Sequence, residues 1–456
     1  MGEKKQYICI DLGTTNLKMI YFDKEELIDA QSFRYQNTNI QGKDYQLDAE
    51  EVLSLLSEGL RKLVMKHNLS TISIALTSAM HSAVVLDEHF YPKSPIYTWA
   101  DRNGSEFVPI DRSKTVSQYV RTGTPIHIMN PYFKWQYLLK IYQPVKTIGS
   151  IKDLVMAFLT GNWMIDLACA SSSGLFSLEE SNWDQELLTY LGISTVQLPK
   201  IVLPNVKCKL KDPQRFGLKS GLVYPGFSDG VSSNGSTLYL ENAAVLSFGT
   251  SFAIRVISNQ VQVDAKYQNF CYQFSDNQYI IGFPSNNAGN VLEWICQKEG
   301  VNFDDLSKIS ESDIEIKGTF LPFVYGERSP IWNDQAKEEY YMENNLTKEE
   351  RIFTMLSGVF YNVKMNVDLL QNMTIIDKIV LTGGLSINLS LCQLLSNILE
   401  IPIYISTEPN QENIGTMNLL GKHPKTSDYT IIYPRANNTL KKGYEIYKQI
   451  VEQKYL

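Results

Sequence analysis

Histidine is scarce in this chain: five residues in 456, scattered along its length. Cysteine is little more common. Cys9, Cys169, Cys208, Cys271, Cys296 and Cys392 form no C-x-x-C pair, and none has a histidine at metal-ligand spacing. Such spacing offers no zinc site. Thiols in apolar strings such as Tyr7-Ile8-Cys9-Ile10 are expected to be free and buried, as in a reducing cytosol. An excess of positive charge is also lacking. The net charge of −7 argues against a nucleic-acid surface, which needs clustered lysine and arginine. No apolar run approaches the roughly 18 residues of a membrane span. The opening Met1-Gly2-Glu3-Lys4-Lys5-Gln6 carries no signal-peptide h-region. A cytoplasmic protein without nucleic-acid or membrane partners is the expectation.

What the chain does have is length. At 456 residues it exceeds the roughly 250–300 at which a single core stops growing, so two large domains are expected. The apolar and turn pattern predicts strands near Tyr7–Ile10, 18–22 and 27–33. A helix follows from Asp48 to about His67, with Asp48 and Glu51 spaced as a capping box, and then a strand at 71–76. Hairpins first and a crossover later predict a mixed sheet. The pattern restarts halfway. Ile8-Cys9-Ile10-Asp11-Leu12-Gly13-Thr14-Thr15 and Ala244-Val245-Leu246-Ser247-Phe248-Gly249-Thr250-Ser251 are both apolar strands ending in Gly-Thr, which suggests a duplicated domain. The first copy has Asp11 where the second has Ser247. The Gly/Pro-punctuated stretch Gly221–Gly226 suggests a boundary, giving domains at 1–223 and 224–456. A last amphipathic helix is expected near 439–453.

Several segments carry candidate chemistry. In Asp11-Leu12-Gly13-Thr14-Thr15-Asn16-Leu17-Lys18, the glycine permits close backbone approach to an anion. The threonines and exposed N–H groups can cradle phosphate, Asp11 can hold Mg²⁺, and Lys18 can reach a phosphate. The same residues also suit an ordinary hairpin; Gly249 and Thr250 in the second copy favour the phosphate reading. Leu381-Thr382-Gly383-Gly384 ends a strand before a helix, so Gly384 and Asn388 can meet a nucleotide, or simply form a tight turn. In Phe227-Ser228-Asp229-Gly230, Asp229 reads as a loop carboxylate able to take a proton from a sugar hydroxyl, or as a common Asp-Gly turn. Met80 and His81, with Trp99 and Asp101 in Trp99-Ala100-Asp101, combine a flat apolar face with polar groups, as a sugar pocket does. A core tryptophan and a surface ion pair are the alternative.

Taken together these segments resemble the FGGY carbohydrate kinases from Ile8 to about Gly421. Asp-x-Gly-Thr-Thr at 11–15, Met-His at 80–81, Trp-x-Asp at 99–101, Ser-Asp-Gly at 228–230, Gly-Thr-Ser at 249–251 and Gly-Gly at 383–384 occur in the family's order. The resemblance implies an α/β protein of two RNase-H-like, actin-like ATPase domains, with mixed sheets flanked by helices and the active site in the cleft between them. It implies ATP and Mg²⁺ as cofactors. Asp229 would be the catalytic base and Asp11 the residue near the metal. Gly13, Thr14, Thr15, Lys18, Gly249 and Thr250 would contact phosphate, and Gly289, Gly384 and Asn388 adenosine. Met80, His81, Trp99 and Asp101 would contact sugar.

Within the family, Ser78–Ser82, Thr98–Asp101 and Phe320–Trp332 are similar to gluconate kinases. The expected reaction is phosphorylation of D-gluconate to 6-phosphogluconate. Xylulose or another family sugar is the alternative, and a non-catalytic binding protein on the same fold a second one. A substrate carboxylate needs a cation or N–H donors; Lys134, Arg102 and His127 are the candidates, with a solvated surface charge as the other reading of Lys134 and Arg102. A homodimer is a further open expectation.

Overall fold

The computed structural model describes residues 6–456 except 236, 239, 311–313, 344, 407–409 and 423–427. Two compact units emerge. One comprises Met1–Leu238, Ile257–Ile280 and Asn410–Thr426; the other comprises Tyr239–Val256, Ile281–Pro409 and Ser427–Leu456. A single cut between residues 223 and 224 does not separate them, because that point falls inside the strand Ser220–Ser228.

The first unit is built on a sheet in the order Cys208–Lys209, Ser220–Ser228, Thr71–Ser78, Gln6–Leu12, Asn16–Asp23, Glu26–Arg34. Gln6–Leu12 pairs antiparallel with Asn16–Asp23 and parallel with Thr71–Ser78, so the sheet is mixed as expected. Side chains alternate between faces. Ile8, Ile10 and Leu12 pack with Val52, Leu56 and Leu60 of the helix Ala49–Lys66 and with Leu154 and Val155 of the helix Ile151–Thr160. Tyr7 and Cys9 point the other way, onto Ile414 and Met417 of the helix Gln411–Leu419. Burial on both faces explains why the first strand reads as an unbroken apolar run.

Two local expectations are corrected. Asp48 caps its helix by accepting from the N–H groups of Glu50 and Glu51, but no capping box closes. The Glu51 carboxylate instead accepts from the N–H groups of Gln36 and Asn37 at 2.8 and 2.9 Å, tying the end of the third strand to the helix start. The Gly221–Gly226 stretch is not a linker either. It lies in a strand that runs parallel to Thr71–Ser78, with a register shift between Tyr224 and Phe227. Gly226 has φ +65°, and a Cβ there would lie 1.8 Å from the Leu76 carbonyl oxygen. The glycine serves an irregularity inside a sheet.

In the second unit the strands run Gln278–Ser285, Phe252–Ser258, Ala243–Phe248, Lys378–Thr382, Ile403–Ser406, Tyr429–Ile432. Ala243–Phe248 pairs antiparallel with Phe252–Ser258 and parallel with Lys378–Thr382, the same arrangement that Gln6–Leu12 has in the first unit. The repeat glimpsed in the sequence is therefore a repeat of topology. A long buried helix, Lys348–Gln371, starts with a closed capping box between Thr347 and Glu350. The last helix spans Asn438–Tyr455, and its Tyr444 and Tyr447 rings lie 5.8 and 5.7 Å from the ring of Tyr361. All six cysteines are free, and all but Cys296 are buried. Among the described residues no helix is long and apolar enough to cross a membrane.

Candidate active site

Asp11 is the next-to-last residue of the first strand, opposite Lys18 on one side and beside Thr77 on the other. The turn that follows is tight. The Gly13 N–H donates to the Asn16 carbonyl at 3.1 Å, and a Cβ on Gly13 would sit 2.9 Å from that oxygen. Asp11 is 8% exposed. Burial, together with the neighbouring charge of Glu412, pushes its carboxyl up to about 7; Lys18 opposes the rise and Asp229 adds to it. Three carboxylates therefore share one electrostatic environment within the first unit. Glu412, in the first turn of the Gln411–Leu419 helix, is one that motif reading missed.

Asp229 does not sit in a loop. It is the first residue of a short helix, Asp229–Gly235, that follows directly on the strand Ser220–Ser228. Its Oδ1 accepts from the Gly230 N–H at 2.7 Å. That helix crosses Gln411–Leu419 so closely that a Cβ on Gly235 would lie 2.3 Å from the Gly415 oxygen. The Thr416 hydroxyl donates to Ser232 Oγ at 2.7 Å, and Ser232 Oγ lies 3.0 Å from Thr77 Oγ1. One chain of hydroxyls thus links the helix of Asp229, the helix of Glu412 and the strand beside Asp11.

The expected sugar contacts divide. Gly13, Thr14, Met80 and Trp99 line one small recess with Leu12, Ala79, Ser82 and Thr98. Trp99 is 36% exposed, so its ring can meet a ligand. His81 adopts φ +64°, and its Nδ1 lies 3.0 Å from the Ser172 carbonyl oxygen. A carbonyl only accepts, so Nδ1 carries the proton. Asp101 is different. It is fully buried, and its carboxylate accepts from the Tyr45 N–H, the Gln46 amide, the Asn103 N–H and the Asn103 amide. It is a hub that joins loops. Lys134 is fully buried too, neither a solvated surface charge nor an exposed pocket cation. Its ammonium donates to the carbonyls of Ile128 and Met129 at 2.6 and 3.1 Å. Desolvation lowers its pKa to about 7, against the pull of Asp101. His127 Nδ1 accepts from the Met129 N–H at 3.1 Å, and Arg102 is exposed.

The second unit carries its own group. A Cβ on Gly249 would find nothing nearer than the Ser251 oxygen at 3.9 Å, and one on Gly384 nothing within 4 Å. Neither glycine is required by the protein's own packing. Gly383 is: it has φ +91°, and a Cβ would meet the Phe248 oxygen at 2.4 Å. Gly289 is packed onto the turn, its N–H donating to the Gly249 carbonyl at 2.9 Å and the Asn290 N–H to that of Thr250 at 3.2 Å. The loop before Gly289 is held by Glu327, a fully buried carboxylate. It accepts from Ser285 Oγ at 2.7 Å, the Asn286 N–H at 2.9 Å, Asn287 Nδ2 at 3.1 Å and Asn362 Nδ2 at 2.7 Å. Asn388 is engaged at both ends: Oδ1 caps the helix Leu389–Leu399 through the Leu391 N–H, and Nδ2 donates to Ser307 Oγ at 2.6 Å. Where the first unit has Asp11, the second has Ser247, whose hydroxyl accepts from Arg255 and Thr382 at 3.0 and 3.1 Å.

Each unit thus carries a tight Gly-Thr turn at the same place in its topology, beside Asp11 in the first and beside Ser247 in the second. Residues 6–233 match the N-terminal domain, and residues 244–421 the C-terminal domain, of the FGGY family of carbohydrate kinases. The chain belongs to that family, whose members transfer phosphate from ATP to a small sugar. It is 29% identical over 440 residues to the gluconokinase of Bacillus subtilis (strain 168), covering 89% of this chain and 85% of that one. It is 30% identical over 383 residues to the gluconokinase of Bacillus licheniformis, covering 78% and 74%. With the xylulose kinase of Staphylococcus xylosus it shares 24% over 422 residues, covering 88% and 87%. Among solved structures, the gluconate kinase from Lactobacillus acidophilus matches with a TM-score of 0.91 at 25% identity, over 99% of both chains.

Proposed function

We propose that this kinase phosphorylates D-gluconate to 6-phosphogluconate, with ATP as donor and Mg²⁺ as the metal. One observation carries the substrate: identities of 29 and 30% to two gluconokinases, against 24% for the xylulose kinases of Staphylococcus xylosus and Lactococcus lactis. Xylulose is the second reading, because a xylulose kinase structure from Lactobacillus acidophilus matches this chain with the same TM-score of 0.91.

The chemistry follows from the residue types. Asp229 accepts the proton of the attacking hydroxyl as its oxygen bonds to the γ-phosphorus, and the bond from that phosphorus to the bridging oxygen breaks to release ADP. Gly13, Thr14 and Thr15, with Lys18, and separately Gly249 and Thr250, hold phosphate oxygens. Gly289 fixes the Gly249 turn, and Gly384 leaves room for adenosine. The donor set suits Mg²⁺. Among the described residues no three acidic, histidine or cysteine side chains form a ready-made cage, and Mg²⁺ is ordinarily held by one or two carboxylates, water and phosphate. Asp11 would hold it, and the metal, when bound, would supply positive charge against the phosphates. With Lys134 buried, Arg102 and His81 are the candidate partners for the gluconate carboxylate.

The test is product identification. Purified protein with ATP, Mg²⁺ and gluconate should give a phosphomonoester at the 6-position by ³¹P and ¹H NMR. Turnover of xylulose with none of gluconate would replace the first reading by the second.

A further inference from the structure

Lys152 and Asp166 are both wholly buried in the first unit. The Lys152 ammonium lies 2.6 Å from Asp166 Oδ2 and donates to the Phe227 carbonyl at 2.7 Å. The other oxygen of Asp166 accepts from the N–H groups of Ala168 and Cys169 at 3.1 and 3.2 Å, capping the short helix Leu167–Ser171. Lys152 itself is in the first turn of the helix Ile151–Thr160. One ion pair therefore ties together that helix, the start of the next, and the end of the strand Ser220–Ser228. Phe227 is two residues before Asp229 and lies just past the register shift, where the strand resumes its pairing opposite Thr77.

Stability is a poor reason to bury such a pair. Desolvating two charges offsets much of their attraction, and apolar replacements of similar volume are often as stable or more so. What an apolar pair cannot supply is a donor fixed on the Phe227 carbonyl, at the point where the irregular strand hands over to the helix of Asp229. We infer that Lys152, steadied by Asp166, is a positioning residue for Asp229: it locks the Phe227 peptide and so sets the direction in which the base is presented. This rests on the reading of Asp229 as the base.

The experiment is a cycle of four proteins: wild type, Lys152→Met with Asp166→Leu, Asp229→Asn, and all three changes together. For each, kcat, the KM values for gluconate and ATP, and Tm are measured. The apolar pair removes the cap on Ala168 and Cys169 and should lower Tm; both KM values should stay near wild type while kcat falls about tenfold or more, since small misplacements of a reacting group carry losses of that order. In the Asp229→Asn background it should cost less than about twofold, because groups acting as a unit are non-additive. Lys152→Gln with Asp166→Asn keeps a donor near the carbonyl and should recover part of kcat; Lys152→Met with Asp166→Asn, which removes that donor but keeps an acceptor for the Ala168 and Cys169 N–H groups, is the cycle's pair if the apolar version fails to fold. Wild-type kcat in a folded pair variant overturns the inference, and so does an equal loss with and without the Asp229 carboxylate. Full turnover by Asp229→Asn alone removes the base reading itself, an outcome seen independently of the pair.

Discussion

Asp11 and Lys18 face each other across the first hairpin, yet the Asp11 carboxyl is pushed up to about 7 rather than down. Burial and the charges of Glu412 and Asp229 outweigh one lysine. A carboxyl raised in the folded state contributes stability that is fully present below its unfolded value of about 3.9 and is lost as pH rises through 7. Without Mg²⁺, Asp11→Asn should therefore melt several degrees above wild type near pH 8 and together with it near pH 4. Added Mg²⁺ should raise the Tm of the wild type at pH 8 and leave the variant where it was. Thermal melts at the two pH values, with and without metal, check both parts.

The Glu327 network makes a claim about the nucleotide side. Its carboxylate is acceptor to four groups on the Ser285–Asn287 loop and Asn362, and that loop leads to Gly289. Glu327→Gln turns one acceptor into a donor among donors. Bonds to a charged group are worth about 1.5–3 kcal/mol each, so a lower Tm and a KM for ATP raised about tenfold are expected, with the KM for sugar unchanged. Steady-state kinetics with each substrate varied in turn would show it.

Two adjacent glycines should behave oppositely. Gly384 has open space where its Cβ would be, whereas Gly383 has φ +91° and a carbonyl 2.4 Å from that point. Gly384→Ala should keep the wild-type Tm and weaken ATP binding, while Gly383→Ala should lower Tm. Melting curves and nucleotide titrations separate the two.

Part of this architecture was legible beforehand, and the reasons for the rest are physical. Strands buried on both faces announce themselves as apolar runs, so Gln6–Leu12 and Ala243–Phe248, with their Gly-Thr turns, could be read directly. Gly226 could not. Glycine in a Gly/Pro-rich stretch suits a linker and a bulge equally well, and only the nearness of the Leu76 carbonyl separates them. Asp101 and Lys134 carry pocket-like chemistry, but Asp101 is taken up by Tyr45 and Gln46, far away in the chain, and Lys134 folds back onto the carbonyls of Ile128 and Met129, neither of which any spacing reveals. Lys152 did leave a signal. It interrupts the apolar string around Ile148–Leu159, and a charge inside such a string must find a buried partner.

Lys134 bears on the sugar side. Because its ammonium is bound to the carbonyls of Ile128 and Met129, it steadies the 127–130 loop instead of offering a free charge. Lys134→Met should lower kcat/KM by similar factors for gluconate and for any neutral sugar the enzyme accepts. A loss confined to the acid would place the ammonium on the substrate carboxylate after all.

The substrate itself is the central claim, and the most direct measurement is kcat/KM by ADP release over gluconate, xylulose and glycerol with Mg²⁺-ATP, run for the wild type and for Asp229→Asn. Gluconate should give the highest value. The variant should lose about 10²–10⁴-fold, the range for a positioned acid–base group, while still binding gluconate. A wild-type preference for xylulose, or an Asp229→Asn enzyme turning over gluconate as fast as the wild type, would contradict the account.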